Sequence, residues 1–213
     1  MWAVVDDAIA YIKEIFCHDY SDHDAAHSIR VYQTAMEIAA EEKADPFTVA
    51  LAALLHDVDD WKLSPETAAG KNRAVDFLKR HAVPAQTISS ICGILEEVSF
   101  RGRDSVTPST LEGKCVQDAD RLDALGAIGI ARTFAYGGSH HRAIYDPAEK
   151  PQADMSEVEY KKRTSSSISH FYEKLLLLQD TMNTETGRRL ARQRTAFMET
   201  FLDEFFAEWD GRR

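Results

Sequence analysis

From Phe47 to about Val58 the chain runs Phe-Thr-Val-Ala-Leu-Ala-Ala-Leu-Leu-His-Asp-Val, a helix-length stretch without a polar face until it closes on charge. Such a helix has to be covered on every side, so it belongs in the middle of a domain made of several other helices. Asp45-Pro46 marks its start, with Asp as N-cap and Pro at the first helical position.

The flanking sequence supplies the covering helices. Trp2 to Phe16 sets Val5, Ile9, Ile12 and Phe16 on one apolar stripe. The polar segment Asp19 to Asp24 breaks that pattern, and a second helix over about 25–43 turns Ile29, Tyr32, Met36 and Ala40 inward. Further helices are expected at about 65–82 and 84–99, and one from about 108 or 110 to 136 that Gly137-Gly138 stops. Residues 137–155 read as the longest loop. Ser156-x-x-Glu159 then has the form of a capping box and opens the first of two long helices, roughly 157–181 and 184–209. Neither strand alternation nor an internal repeat interrupts this pattern. The expected class is all-α.

A chain of 213 residues can bury its core without disulfides or a structural metal. It reads as a single domain over 1–213, with a core of about 20–136 and the C-terminal helices of about 157–209 packing on it. The formal net charge of -10 repels polyanions, which argues against nucleic-acid polymers and anionic membranes as partners. A small anion in a locally positive or metal-loaded pocket stays open. Cys17, Cys92 and Cys115 lie far apart and form no CxxC pair, as expected of reduced thiols. No window approaches about 18 consecutive apolar residues, and the first residues lack the pattern of a signal peptide. Together these features predict a cytoplasmic protein.

Chemistry enters with a scattered set: His27, the pair His56-Asp57, and Asp120. Asp57 ends the buried apolar helix, where a carboxylate needs a neutralising partner. Nearby the sequence offers more acids, Asp59 and Asp60, and one base, Lys62. A divalent cation resolves the imbalance economically. Two imidazoles and two carboxylates from three helices make a mixed nitrogen and oxygen site, suited to Mn²⁺, Fe²⁺, Co²⁺, Ni²⁺, Zn²⁺ or Mg²⁺ and leaving positions for water and a phosphoryl oxygen.

His23-Asp-Ala-Ala-His27-Ser-Ile-Arg30-Val31, Ala-Leu-Leu-His56-Asp57 and Asp118-Ala-Asp120-Arg121-Leu122 resemble the H…HD…D signature of the HD-superfamily metal-dependent phosphohydrolases. Asp120 through Gly138, with His170-Phe-Tyr-Glu-Lys-Leu175, is similar to the bacterial YpgQ/YedJ-like subgroup of that family. The likeness spans roughly residues 20 to 205. It implies an HD-type helical bundle with one divalent metal, Mn²⁺ first among the candidates, and hydrolysis of a phosphate ester or anhydride. For the subgroup it implies cleavage of a nucleoside triphosphate to monophosphate and pyrophosphate. The alternatives are a phosphomonoesterase or nucleotidase with the same centre, and a non-catalytic nucleotide-binding protein. The expected metal ligands are His27, His56, Asp57 and Asp120. Asp118 competes for the fourth place but cannot share a helix face with Asp120.

Other residues are weighed against plainer roles. Asp60, four residues after His56, is a candidate to orient or deprotonate water, against a solvated acid at a helix end. His23, Arg30, Lys62, Arg121, His140 and His141 are candidate contacts to substrate phosphate, each set against ordinary surface charge, as are Arg101 and Arg103. The run Leu175 to Leu178 and the row Phe197, Phe201, Phe205 read as core or as contact between copies in a homodimer.

Overall fold

The structure, a computed structural model, describes residues 2–17, 25–59, 72–98, 104–153 and 155–213. Among them every regular element is helical, as the sequence pattern requires. The chain divides into two compact units: Met1–Phe100 with Ser105–Asp120, and Arg101–Asp104 with Arg121–Arg213.

The first unit contains α1 (Ala3–Ile15), α2 (Ala25–Glu42), α3 (Pro46–Leu55), α4 (Asn72–Arg80), α5 (Ala85–Glu97) and most of α6 (Leu111–Asp123). Helix α3 is its centre. Every residue from Val49 to Leu55 is fully buried, and α1, α2 and α5 pack around it. At its start the Asp45 carboxylate accepts the Thr48 N–H at 2.9 Å, with Pro46 at the first helical position. That hydrogen bond holds the Asp45 carboxyl below its ordinary range against the opposing effect of partial burial. Helix α6 is fixed to α5 by Gln117, whose side-chain amide donates to the carbonyls of Glu97 (2.9 Å) and Val106 (3.0 Å). Burial, the largest cause, pushes the Cys115 thiol on α6 up to about 12. That group stays a thiol.

Three sequence expectations need correction. The helix expected to run unbroken to 136 is two helices, α6 and α7 (Gly126–Ser139). They part where Leu125 is extended and Gly126 takes φ +71, a left-handed conformation that glycine adopts freely. Gly137-Gly138 does not stop α7, which continues to Ser139. Gly137 is there because a Cβ would lie 2.2 Å from Ser167 Oγ, so the glycine permits a close approach. Lastly, the helix expected over 157–181 is α8 (Glu157–Lys162), α9 (Ser167–Glu173) and a 3₁₀ turn (Leu175–Thr181).

The serines before α9 explain that last division. Ser166 is extended and caps α9 through Ser169 N–H, Ser165 Oγ donates to Glu173 at 2.6 Å, and Glu149 accepts from Ser166 N–H (2.9 Å) and Ser169 Oγ (2.6 Å). The Ser166 and Ser169 N–H groups are committed to side-chain partners rather than to a helix ladder. The capping box at Ser156 forms as expected, with Ser156 N–H donating to Glu159 at 2.8 Å. Helix α10 (Glu185–Trp209) opens on Thr184, which accepts the Gly187 N–H at 2.9 Å. Of its aromatic row, Phe201 lies against Phe134 and Phe171, each at 5.9 Å between ring centres, while Phe197 is exposed. Among the described residues no helix is long and apolar enough to cross a membrane.

Candidate metal centre

Three helices of the first unit deliver four side chains to one point. His27 stands in the first turn of α2, His56 closes α3, Asp57 follows it, and Asp120 comes from α6. His27 is 2% exposed, and His56 and Asp57 are 8% exposed. Helix α3 is what carries His56 and Asp57 so deep. Its continuously apolar surface is drawn into the core, and the residues at its end go with it.

The Nε2 atoms of His27 and His56 are 3.2 Å apart. Asp57 Oδ2 lies 3.4 Å from the first and 3.3 Å from the second. Asp120 Oδ1 lies 3.4 Å and 3.7 Å from the same two atoms. Ligands bound at about 2.0–2.2 Å to one ion are separated by about 3.0–3.5 Å along a coordination edge, so the spacing fits a shared cation. The donor chemistry fits too, since imidazole nitrogen with carboxylate oxygen suits divalent first-row metals and magnesium. Among the described residues His27, His56 and Asp57 form the group able to offer one ligand atom each within 4.8 Å of one another.

Orientation is fixed from behind. His56 Nδ1 is 2.8 Å from the Ala53 carbonyl, to which it donates, so Nε2 presents its lone pair to the centre. Burial works to lower the His56 pKa, but the charge and hydrogen bond of Asp57, aided by Asp120, outweigh it and hold the ring above its ordinary value. Burial works to raise Asp120, yet the His27 hydrogen bond and both imidazoles hold it below the usual carboxylate range. The carboxylates and imidazoles attract one another here, and a divalent cation would compete with a proton for the same atoms.

Of the two acids weighed as the fourth ligand, Asp120 supplies the oxygen beside the imidazoles, and Asp118 is fully buried two residues earlier. Arg30 is half-buried on α2, one turn beyond His27. Arg121 belongs to the second unit, is buried, and donates through Nη1 to the Thr181 carbonyl. His140 and His141, also in that unit, are exposed. The His140 ring stacks on Tyr136 at 3.8 Å. His23, Asp60, Lys62, Arg101 and Arg103 lie outside the described residues.

Sequence reasoning missed Asp59. It is 1% exposed, and its carboxylate accepts the N–H groups of Arg73 (3.2 Å) and Ala74 (2.9 Å) at the start of α4. In the run His56-Asp57-Val58-Asp59-Asp60 it reads as one more acid near a cation. Only the alternation of side chains along that turn hints that Asp57 and Asp59 face different ways.

The chain resembles known proteins in both sequence and structure. The profile of the HD domain family matches residues 24–125. YpgQ of Bacillus subtilis (strain 168) is 37% identical over 194 residues, covering 90% of this chain and 87% of YpgQ. A crystal structure of YpgQ in complex with ADP superposes with a TM-score of 0.77 at 33% identity, covering 96% of this chain and 97% of that one. A Lactobacillus plantarum protein of known structure gives a TM-score of 0.87 at 37% identity over 99% and 98% of the two chains. For an HD-superfamily hydrolase from Bacillus thuringiensis the values are 0.77 and 39%, over 97% and 96%.

Proposed function

The chain belongs to the HD domain family, and from that premise we propose that it is a metal-dependent phosphohydrolase that cleaves nucleoside triphosphates to monophosphate and pyrophosphate. His27, His56, Asp57 and Asp120 hold one divalent ion in this reading, with Mn²⁺ as the first candidate. The observation that carries it is the convergence of the buried His27, His56 and Asp57 within 3.2–3.4 Å of one another, with the half-buried Asp120 placing Oδ1 at 3.4 and 3.7 Å from the two imidazoles. The relative YpgQ has been crystallised with ADP, which supports a nucleotide as the ligand class.

When bound, such an ion lowers the pKa of a water and polarises a phosphoryl oxygen. The protein's part is placement. The Ala53 carbonyl keeps His56 Nε2 available as a ligand atom. Asp57 and Asp120 bring two negative charges that favour a dication over a proton. Burial removes competing water and strengthens each of these interactions. Asp60 as water-orienting base, and His23, Arg30, Lys62, Arg121, His140 and His141 as contacts to phosphate, complete the assignment on sequence grounds.

Pyrophosphate release requires water to attack the α-phosphorus and break the bridge to the β-phosphate. The test is a panel of nucleoside triphosphates and phosphomonoesters with Mn²⁺, Mg²⁺, Co²⁺ and Ni²⁺, scored separately for orthophosphate and pyrophosphate. Hydrolysis in ¹⁸O-water should place the label in the monophosphate. Orthophosphate as the first product would replace this reading with a phosphomonoesterase or nucleotidase. Nucleotide binding without turnover under any of the four ions would leave a binding protein.

A further inference from the structure

The Asp59 carboxylate ties two separate parts of the first unit together. It sits at the end of the turn that carries His56 and Asp57, and it bonds to amides 14 and 15 residues further along, in the first turn of α4. A buried carboxylate on helix N-terminal amides combines charge-assisted hydrogen bonds with a favourable interaction with the helix dipole.

The place of that tie matters. The regular ladder of α3 ends at Leu55, and beyond it a long turn bond joins Val58 N–H to the Leu55 carbonyl at 3.4 Å. Asp57 therefore lies just past the rigid helix. Upstream of it the His56 ring is held by the Ala53 carbonyl at 2.8 Å. Downstream the turn is held by Asp59 on α4. Between these two fixings Asp57 Oδ2 keeps its 3.3 and 3.4 Å distances to the imidazoles.

We propose that Asp59 is a positioning residue of the metal centre: by bonding the Arg73 and Ala74 amides it sets where the Asp57 carboxylate stands, and so governs metal affinity without being a ligand. The inference rests on the metal-centre reading above and adds a determinant of its affinity. A cap that served α4 alone would affect melting but not metal binding, which separates the two roles.

The experiment measures Mn²⁺ affinity by the electron paramagnetic resonance signal of free Mn²⁺, well below the melting temperature of each variant. Asp59→Ala should bind Mn²⁺ at least about tenfold more weakly, the scale seen when an outer partner of a metal ligand is removed. Asp59→Asn keeps one acceptor oxygen and should fall between Asp59→Ala and the unaltered protein. Thr184→Ala, which removes the cap of α10 in the second unit, should lower the melting temperature yet bind Mn²⁺ normally. Asp59 variants that melt early but bind Mn²⁺ like the unaltered protein would overturn the proposal. If Asp59→Ala does not fold, Asp59→Asn decides by the same criterion. If the unaltered protein itself binds no divalent ion, the metal-centre reading falls and takes this inference with it.

Discussion

Replacing Asp57 by Ala separates the metal centre from the fold. The carboxylate is one of four donors and lies 3.3 and 3.4 Å from the two imidazoles. A structural four-ligand Zn²⁺ site is worth about 10–16 kcal/mol, so one donor of such a site accounts for about 2.5–4 kcal/mol, or roughly 70- to 1,000-fold in Kd. For Mn²⁺, at the weak end of the divalent series, the loss should lie near the lower of those limits. Asp57→Asn keeps a neutral oxygen donor and should lose less. The fold should survive both changes, because Val49 to Leu55 bury α3 whether or not Asp57 is charged. Titration calorimetry with Mn²⁺ gives the affinity, far-ultraviolet circular dichroism gives the helix content, and steady-state turnover should fall with metal occupancy. An Asp57→Ala protein with native helicity and undiminished Mn²⁺ affinity would refute the ligand assignment and the reasoning behind it.

The other predictions concern the scaffold. Leu51→Ala empties a fully buried site in the central helix and should lower unfolding stability by about 3–5 kcal/mol; a urea midpoint close to that of the unaltered protein would contradict the placement of α3. In Gly129→Ala the new Cβ would fall 2.1 Å from the Ala124 carbonyl oxygen. Backbone cannot swing aside as a side chain can, so a loss of about 3 kcal/mol is expected in the same assay. Glu149 gives a pH signature. Burial works to raise its pKa, but hydrogen bonds from Ser169 and Ser166 outweigh it and hold the carboxyl below its ordinary 4.5. A depressed folded-state pKa contributes stability that is complete above the unfolded value and fades as pH falls through the folded one. Glu149→Gln should thus destabilise at neutral pH, with the difference shrinking in acid below the ordinary range. A difference that grew as pH fell would reverse the assignment.

Much of the first unit is legible in the sequence because its signals are local. Asp45-Pro46 starts α3 through contacts spanning three residues, and an all-round apolar helix has only one place to go. His56 and Asp57 stand out because charge at the end of such a helix needs a partner, and the resemblance to the H…HD…D signature adds His27 and Asp120. The breaks in the second unit depend on contacts that sequence spacing does not reveal. The apolar period runs on through Leu125 and Gly126, and nothing local says that Gly126 will take φ +71 against the Arg194 side chain. Gly137 looks like punctuation, but its reason is Ser167, a residue thirty positions away. The serines that divide the expected 157–181 helix are held by Glu149 and Glu173, one earlier in the chain and one later. Asp59 is hidden for the same reason, since its partners are 14 and 15 residues on.

A helix with one greasy side has its roll about its own axis set by solvent, which wets the other side. Helix α3 has no wet side, so solvent gives it no preferred roll. Steric fit among its neighbours, together with the polar groups at its two ends, must choose the angle. Adding one residue within it would swing everything downstream by about 100° while leaving the same kinds of atoms dry. The helix would lose little of its reason to be buried, yet His56 and Asp57 would face another quarter of the core.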